Sequence, residues 1–310
     1  MKIVCLDAAT LGGDADLSEI ASLGEFESYE MTEPAQIAQR LAGADVVITN
    51  KVLITDEIMA QTALKLICVS ATGTNNIDMQ AAQARGIAVK NVTGYSTNSV
   101  VQQTFASLFA LTNALGYYAD YGSSGKWCES EIFTHIDAPI SEIYGKEFGV
   151  IGLGQIGAKV ARIAAAFGAN VRYYSTSGAN DKGEFVRVSL DALLRACDII
   201  SIHAPLNEKT AELIGEAELA KMKEGAILMN FGRGGIVDED ALARAVDERG
   251  LRTALDVLQT EPMRADHPLL RVKNCRNVII TPHIAWTSIE ARKRLIKMLA
   301  QNIRDFMNGK

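Results

Sequence analysis

The sequence is poor in residues that hold metals or disulfides. Its five cysteines are scattered, odd in number and without a CxxC pair. This pattern excludes a disulfide framework and predicts reduced thiols in a cytoplasmic protein, most of them buried as apolar filler. The four histidines stand singly, none at a helix-compatible ligand spacing from another, so no metal site is expected.

Long apolar runs and strong charge are also absent. No stretch reaches the roughly 20 apolar residues of a membrane helix, and the N-terminus meets Asp7 too early for a secretion signal. The net charge of −6 gives nucleic acid no reason to bind. The most basic run, ARKRLIK at 291–297, lies in an amphipathic pattern and is predicted to be a solvated helix face.

The chain does contain a repeated alternation of apolar strands with helical segments. The first series holds KIVCLD, DVVITN, KLICVSA and IAVKN, and the second runs from EFGVIGLG at 147–154 to NVIITPH at 277–283. Strands that alternate with helices predict a parallel sheet covered on both faces. With 310 residues, the chain is too long for one core and is predicted to form two doubly wound α/β domains.

Between the two series, a long helical pattern begins at Asn98. It is followed by a segment, 117–145, that is predicted to be irregular because it holds Gly122 and Gly125. From Trp286 onward the pattern is helical again.

A glycine-rich turn opens the second series. Gly152, Gly154 and Gly157 follow an apolar strand and precede an amphipathic helix that Gly168 can end. In a dinucleotide-binding βαβ unit, the first glycine allows a tight turn and the second lets the backbone approach the pyrophosphate. The third allows close helix packing, and the helix N-terminus faces the phosphates. The alternative is a βαβ turn in which the glycines serve geometry alone.

The next strand ends in Ser175, where a ribose-binding carboxylate selects NAD in many such sites. A serine neither bonds both ribose hydroxyls nor repels a 2′-phosphate. Thr176, Ser177 and Lys182 offer donors to a phosphate, yet no arginine follows, and arginine is its usual clamp. NAD is favoured slightly, and NADP stays open.

Three polar residues follow consecutive strands of the second series. Arg233 follows AILMNFG, Glu261 follows TALDVLQT, and His283 follows NVIITP. Ligands bind at the carboxyl ends of parallel strands, so the three side chains are expected to converge. His283 can act as general acid, Glu261 can orient the imidazole, and Arg233 can bond a carboxylate and a carbonyl together. The constellation suits hydride transfer to a 2-keto acid, although each motif alone is also compatible with an ordinary turn.

The ordered set of motifs resembles the D-isomer-specific 2-hydroxyacid dehydrogenase family. Most of the chain takes part, and the matching stretches are ATGTNNID (71–78), GYSTNSVVQQT (94–104), GKEFGVIGLGQIG (145–157), HAPLNEKT (203–210), NFGRGGIVDE (230–239), ALDVLQTEP (254–262) and TPHIAW (281–286). YSTNSV and HIAW are most similar to the glycerate dehydrogenase, or hydroxypyruvate reductase, branch.

The resemblance implies roles for individual residues. Arg233, Glu261 and His283 are the implied catalytic residues, and Asp256 is placed on the nicotinamide carboxamide. The implied substrate contacts are Thr72, Gly73, Thr74, Tyr95, Arg233 and His283. The implied cofactor contacts are Thr104, Gly152, Gly154, Gln155, Ile156, Gly157, Ser175, His203, Ala204, Pro205, Thr210, Phe231, Gly232, Arg233, Asp256 and His283.

The resemblance also implies a domain arrangement. A flavodoxin-like substrate domain takes residues 1–98 and 286–310, and a Rossmann dinucleotide-binding domain, 99–285, is inserted into it. Family members are typically dimers through the helix after residue 98 and the following segment, which makes 117–145 a predicted dimerisation segment. The chain ends at Lys310 without the regulatory domain of some phosphoglycerate dehydrogenases, which makes that activity less expected.

Two competing functions were weighed against a reductase of small 2-keto acids. Formate dehydrogenases replace the histidine-pairing glutamate with glutamine, so Glu261 argues against that branch. A non-enzymatic dinucleotide sensor, similar to the related transcriptional corepressors, retains the same fold and motifs. Only turnover separates the sensor from the enzyme.

Overall fold

The computed structural model describes residues 1–179 and 183–309. The chain divides into two compact units, Met1–Ser96 with Trp286–Lys310, and Thr97–Ala285. Each unit contains one sheet, with five strands in the first unit and seven in the second. Every strand pair described in the two sheets is parallel, which confirms the predicted fold class.

The first unit has the strand order of flavodoxin, β2-β1-β3-β4-β5. Its central strands β3 and β4 are buried along their whole length, as expected for parallel strands covered on both faces. The elements are β1 (Lys2–Cys5), α1 (Ser18–Ala21), β2 (Glu25–Ser28), α2 (Ile37–Arg40), β3 (Val46–Thr49), α3 (Asp56–Ala60), β4 (Leu66–Val69), α4 (Met79–Ala84) and β5 (Ala88–Lys90).

The second unit has the strand order β12-β11-β10-β9-β6-β7-β8. Read from β8, this is the dinucleotide-binding order 3-2-1-4-5-6 with a seventh strand added, so the switch point lies between β6 and β9. The elements are α5 (Thr97–Thr112), α6 (Leu115–Ser123), β6 (Glu147–Ile151), α7 (Gln155–Ala166), β7 (Asn170–Tyr174), β8 (Val186–Arg187), α8 (Leu190–Ala196), β9 (Ile199–Ile202), α9 (Glu216–Lys221), β10 (Ile227–Asn230), α10 (Glu239–Arg249), β11 (Arg252–Leu255) and β12 (Val278–Ile280).

The C-terminal helix α11 (Ile289–Met307) belongs to the first unit and buries one side, including Leu295, Leu299 and Ile303. Its basic run was predicted to be a solvated face, and the structure corrects this in part. The Arg292 guanidinium binds the Asp14 carboxylate with two nitrogens, and Arg294 Nε donates to a backbone carbonyl of the same unit at 2.9 Å. Two of the cations therefore fasten α11 instead of facing water.

The segment 117–145 is not irregular throughout. Helix α6 covers its start, and a 3-10 turn follows at Lys126–Glu129. Gly122 lies within α6 and a Cβ there would meet nothing within 4 Å, so this glycine weakens the helix without breaking it. The Tyr118 hydroxyl donates to the Ala138 carbonyl at 2.6 Å and ties the rest of the segment to α6.

The cysteines behave mainly as predicted. Cys5, Cys68 and Cys197 are buried and unpaired, and burial raises the pKa of each thiol to about 12, which keeps them inert. Cys128 and Cys275 are exposed, so the prediction of burial holds for three of the five cysteines. Within residues 1–179 and 183–309, no cluster of three metal-ligating side chains occurs. No helix in the described part of the chain is long and apolar enough to cross a membrane.

Candidate active site

The glycine-rich turn between β6 and α7 has the geometry that its sequence predicts. Gly152 adopts φ +90°, a left-handed conformation that favours glycine. A Cβ on Gly157 would lie 2.0 Å from the Gly152 carbonyl oxygen, so only glycine lets α7 pack this closely. The two glycines therefore fix the turn and the helix start.

Gly154 is the N-cap of α7 and faces open space, since a Cβ built there meets nothing within 4 Å. Gln155 beside it is exposed, and Ile156 is half-buried. The first turn of a helix leaves N–H groups unbonded within the helix, and these carry partial positive charge. A helix N-terminus that is open and partly positive, at the switch point of the sheet, fits the pyrophosphate of a dinucleotide.

The backbone of Ala204 forms the floor between the strands at the switch point. A Cβ on Gly152 would lie 3.0 Å from the Ala204 nitrogen, and a Cβ on Gly232 would lie 2.6 Å from its carbonyl oxygen. The loops after β6, β9 and β10 thus meet backbone to backbone. Pro205, which follows, is exposed at the rim.

His203 lies at the end of β9 as a neutral side chain. Its imidazole Nε2 contacts the Ser201 hydroxyl at 2.8 Å, and the ring stacks against Phe231 with centroids 6.4 Å apart. Burial lowers the pKa of His203 to about 3. Its buried Nδ1 has no hydrogen-bond partner among the described residues, so this atom can bond a ligand.

Ser175 is buried at the end of β7 and stands where a ribose-binding group is expected. Its Oγ accepts a hydrogen bond from the Gly178 N–H at 3.1 Å, which folds the chain into a tight loop over Ser175–Ala179. Because the hydroxyl oxygen is the acceptor, the O–H proton remains available to a ligand. Lys182, the predicted basic helper, lies outside the described residues.

Arg233 is held at the end of β10 by the Asn230 side chain. The Asn230 amide donates to the Arg233 carbonyl at 2.8 Å and accepts from the Gly232 N–H at 3.0 Å. The guanidinium donates through Nη1 to the Gly232 carbonyl at 2.8 Å, and no carboxylate of the described residues pairs with it. Its remaining donors suit an anionic ligand.

Glu261 and His283 form the predicted pair. His283 Nδ1 lies 2.7 Å from Glu261 Oε2, and Glu261 Oε1 accepts the Leu258 N–H at 3.0 Å. A carboxylate on Nδ1 makes that nitrogen the donor, so Nε2 is the atom that can exchange a proton with a ligand. The imidazole is 27% exposed, which leaves Nε2 accessible.

Asp256, directly after β11, braces the loop that carries His283. Its carboxylate accepts hydrogen bonds from the Ile284 and Ala285 N–H groups, both at 2.9 Å, and from the Thr281 hydroxyl at 2.5 Å. Burial raises the pKa of Asp256, and these three donors oppose the rise. They also hold His283 at φ +53°, a left-handed conformation that is rare for a non-glycine residue.

A buried pair that the sequence analysis missed braces the loop before Glu261. Glu239 Oε2 lies 2.8 Å from His267 Nε2, and Glu239 Oε1 accepts the Gln259 N–H at 2.7 Å. Both side chains of the pair are nearly excluded from solvent, at 7% and 10% exposure. The signal in the sequence is weak, because 28 residues separate the partners.

Two predicted cofactor contacts are engaged within the protein. Thr104 is buried in α5 and donates to the Val100 carbonyl at 2.8 Å. Thr210 is also buried, and its hydroxyl donates to the Pro205 carbonyl at 2.6 Å, closing the loop after β9. Both hydroxyls hydrogen-bond to backbone carbonyls near the proposed site. Their direct contact with a cofactor stays a prediction.

The predicted substrate contacts of the first unit lie after β4 and, for Tyr95, after β5. Thr72 donates through its hydroxyl to the Val92 carbonyl at 3.0 Å. Among the described residues, no hydrogen bond is made by the N–H groups of Gly73 and Thr74, which suits the predicted carboxylate cradle. Tyr95 is buried and packs edge-on against Trp286, with centroids 6.2 Å apart.

This chain is similar to known proteins in both sequence and structure. Residues 105–285 match the NAD-binding domain of the D-isomer-specific 2-hydroxyacid dehydrogenases. A glycerate dehydrogenase from Methylorubrum extorquens is 38% identical, with 100% of this chain and 97% of that protein covered. A hydroxypyruvate reductase from Blautia hydrogenotrophica is 36% identical, with 100% and 98% covered. The predicted branch is therefore represented among the relatives.

A solved structure extends the similarity to the whole fold. An acyclic imino acid reductase in complex with NADPH and D-Arg superposes with a TM-score of 0.86 at 31% identity, covering 100% of this chain and 98% of that one. The Glu261–His283 pair, the glycine-rich turn, the sheet order and these similarities lead to one assignment. The chain belongs to the D-isomer-specific 2-hydroxyacid dehydrogenase family and is an oxidoreductase that transfers a hydride between a nicotinamide cofactor and a 2-hydroxy acid.

Proposed function

We propose that the protein reduces hydroxypyruvate, glyoxylate or a similar small 2-keto acid to the D-2-hydroxy acid. The observation that carries this proposal is the His283–Glu261 pair at 2.7 Å. Arg233 follows the strand β10, which neighbours the strand β11 before Glu261, and its guanidinium pairs with no carboxylate of the described residues. The names of the Methylorubrum and Blautia relatives support the same substrate class. The first unit is proposed to bind substrate and the second to bind the dinucleotide.

Each catalytic residue has one task. When bound, the reduced nicotinamide supplies the hydride to the carbonyl carbon. His283, held through Nδ1, donates a proton from Nε2 to the carbonyl oxygen as negative charge develops there. Glu261 fixes the orientation of the imidazole, and Arg233 stabilises the charge on the carbonyl oxygen and the carboxylate.

The test is a measurement of initial rates for hydroxypyruvate and glyoxylate, each with NADH and NADPH. We expect saturable oxidation of the reduced cofactor with at least one keto acid, and D-glycerate or glycolate as the product. If none of a panel of 2-keto acids is reduced while either cofactor binds, the dinucleotide sensor replaces the enzyme.

The two cofactors are proposed to share one site, in which Ser175 does not exclude either. The family domain is named for NAD, and the imino acid reductase structure was solved with NADPH. These findings support a nicotinamide cofactor. The residues at the end of β7 are proposed to determine the preference between NAD and NADP.

We also propose a cytoplasmic homodimer formed through residues 117–145. This segment exposes unusually apolar side chains, among them Phe133 at 89%, Ile136 at 78% and Tyr144 at 77%. Apolar exposure of this kind typically marks an interface. Sedimentation velocity is expected to give twice the chain mass of 33.4 kDa, and Phe133→Asp to shift the protein toward monomer. A monomeric wild type at micromolar concentration would refute this interface.

A further inference from the structure

Arg187 lies on the edge strand β8, directly beside the end of β7. It pairs in register with Tyr173, two residues before Ser175. Paired residues of neighbouring strands share a face of the sheet, and residues two apart on one strand do as well. Tyr173 packs into the core under α7. Arg187 and Ser175 therefore lie on the sheet face that carries α7, the helix proposed to meet the pyrophosphate.

The Arg187 side chain reaches the loop that follows Ser175. Its Nη1 donates to the Gly178 carbonyl at 3.0 Å. The same loop is closed by Ser175 Oγ, which accepts the Gly178 N–H, and by Ser177 Oγ, which accepts the Ala179 N–H at 3.2 Å. Both serine oxygens act as acceptors, so both hydroxyl protons remain donors. One cation and two hydroxyl donors meet at this loop.

Among the described residues, the charges at this edge of the sheet favour an anion. Arg187 is exposed and forms no ion pair with any carboxylate of residues 1–179 and 183–309. The carboxylate of Glu184, three residues earlier, is neutralised by two hydrogen bonds from the Arg162 guanidinium, both at 2.7 Å. No aspartate stands at Ser175 to repel a phosphate. No arginine directly follows β7 in the sequence, because the nearby arginine lies on the next strand, β8.

We infer that Arg187, with the loop Ser175–Ala179, binds the 2′-phosphate of NADP(H), so that the protein binds NADPH more tightly than NADH. The planar guanidinium of Arg187 can donate one N–H to the Gly178 carbonyl and still donate two others to a phosphate. This inference rests on the proposed dinucleotide site. It does not depend on which keto acid is reduced.

The test compares the binding of matched nucleotides to the wild type and to Arg187→Ala. Dissociation constants are measured by calorimetry for NADPH and NADH, and for adenosine 2′,5′-bisphosphate and 5′-AMP, which differ only in the 2′-phosphate. The wild type is expected to bind each 2′-phosphorylated ligand at least about tenfold more tightly than its partner. Arg187→Ala is expected to lose that preference, with NADH and 5′-AMP changed less than twofold.

Three further variants make the result decisive. Arg187→Lys should keep part of the preference, because the charge remains and the fork is lost. Ser175→Asp should weaken NADPH far more than NADH. Arg244→Ala, which removes an exposed arginine paired with Glu216 elsewhere in the second unit, should change neither.

Two outcomes would overturn the inference. One is a wild type that binds NADH as tightly as NADPH or more tightly. The other is an equal loss of affinity for NADPH and NADH in Arg187→Ala, which would mean that Arg187 only stabilises the loop. Cofactor binding can be measured without turnover. A protein that prefers NADPH but reduces no keto acid would therefore refute the proposed function and leave this inference standing.

Discussion

Replacing His283 with alanine is expected to lower kcat for keto-acid reduction by about 10²–10⁴-fold, the usual contribution of a general acid. Glu261 holds the imidazole through Nδ1, and the ring is 27% exposed, so Nε2 remains for proton exchange with a ligand. Cofactor binding should change little, because Asp256 braces the loop through backbone groups that remain in the variant. Steady-state kinetics and cofactor titration measure the two effects separately.

His283→Asn serves as the matched control for the backbone. Alanine at φ +53° adds strain, whereas asparagine tolerates the left-handed region. If both variants lose turnover and retain cofactor binding, the loss belongs to proton transfer. Wild-type turnover in His283→Asn would refute the acid–base assignment. Glu261→Gln should keep a hydrogen bond to the ring, remove the negative charge beside it, and lower kcat while cofactor binding changes little.

Gly234→Ala is expected to be the second most damaging change, although the residue carries no side chain. A Cβ there would lie 1.9 Å from the Leu258 carbonyl oxygen and 2.1 Å from its carbon. Leu258 in turn donates its N–H to Glu261. The loop that follows Arg233 and the loop that leads to Glu261 must therefore separate by about 1 Å or more. Misplacement on this scale lowers kcat/KM about 10²-fold, and the overpacking costs about 1–3 kcal/mol of stability.

Gly13→Ala is the matched control, because a Cβ on Gly13 meets nothing within 4 Å. It should leave both the melting temperature and kcat/KM unchanged within error. Gly234→Ala should lower both, with the loss of activity persisting at temperatures where the variant is fully folded. A folded Gly234→Ala protein with normal kcat/KM would show that the two loops move independently.

The fold could be predicted from the sequence because its signals are local. Buried runs such as VVIT in β3 and the turn at Gly152 need only neighbouring residues to be recognised. Helix α6 was missed for the same reason, since Gly122 looks like a breaker until its helix is seen to leave that position open. Strand order follows from the glycine-rich turn together with the general rule for doubly wound sheets.

The site could be predicted only in part. Arg233, Glu261 and His283 follow the neighbouring strands β10, β11 and β12, and Glu261 and His283 are in contact as predicted. The groups that position them come from distant parts of the chain or act through the backbone. His267 reaches Glu239 over 28 residues, and Asp256 accepts N–H groups that carry no sequence signature. Such contacts depend on three-dimensional packing, which periodicity does not encode.

The backbone floor at Ala204 has a consequence for redesign. Because Gly152 and Gly232 approach Ala204 without side chains, this part of the site offers no atoms to vary, and any enlargement there separates strands. Ser175 and Arg187 lie at the end of β7 and on β8, beyond that floor. Substitutions at these two positions can therefore change the preference between NADH and NADPH without altering the residues proposed to reduce the keto acid.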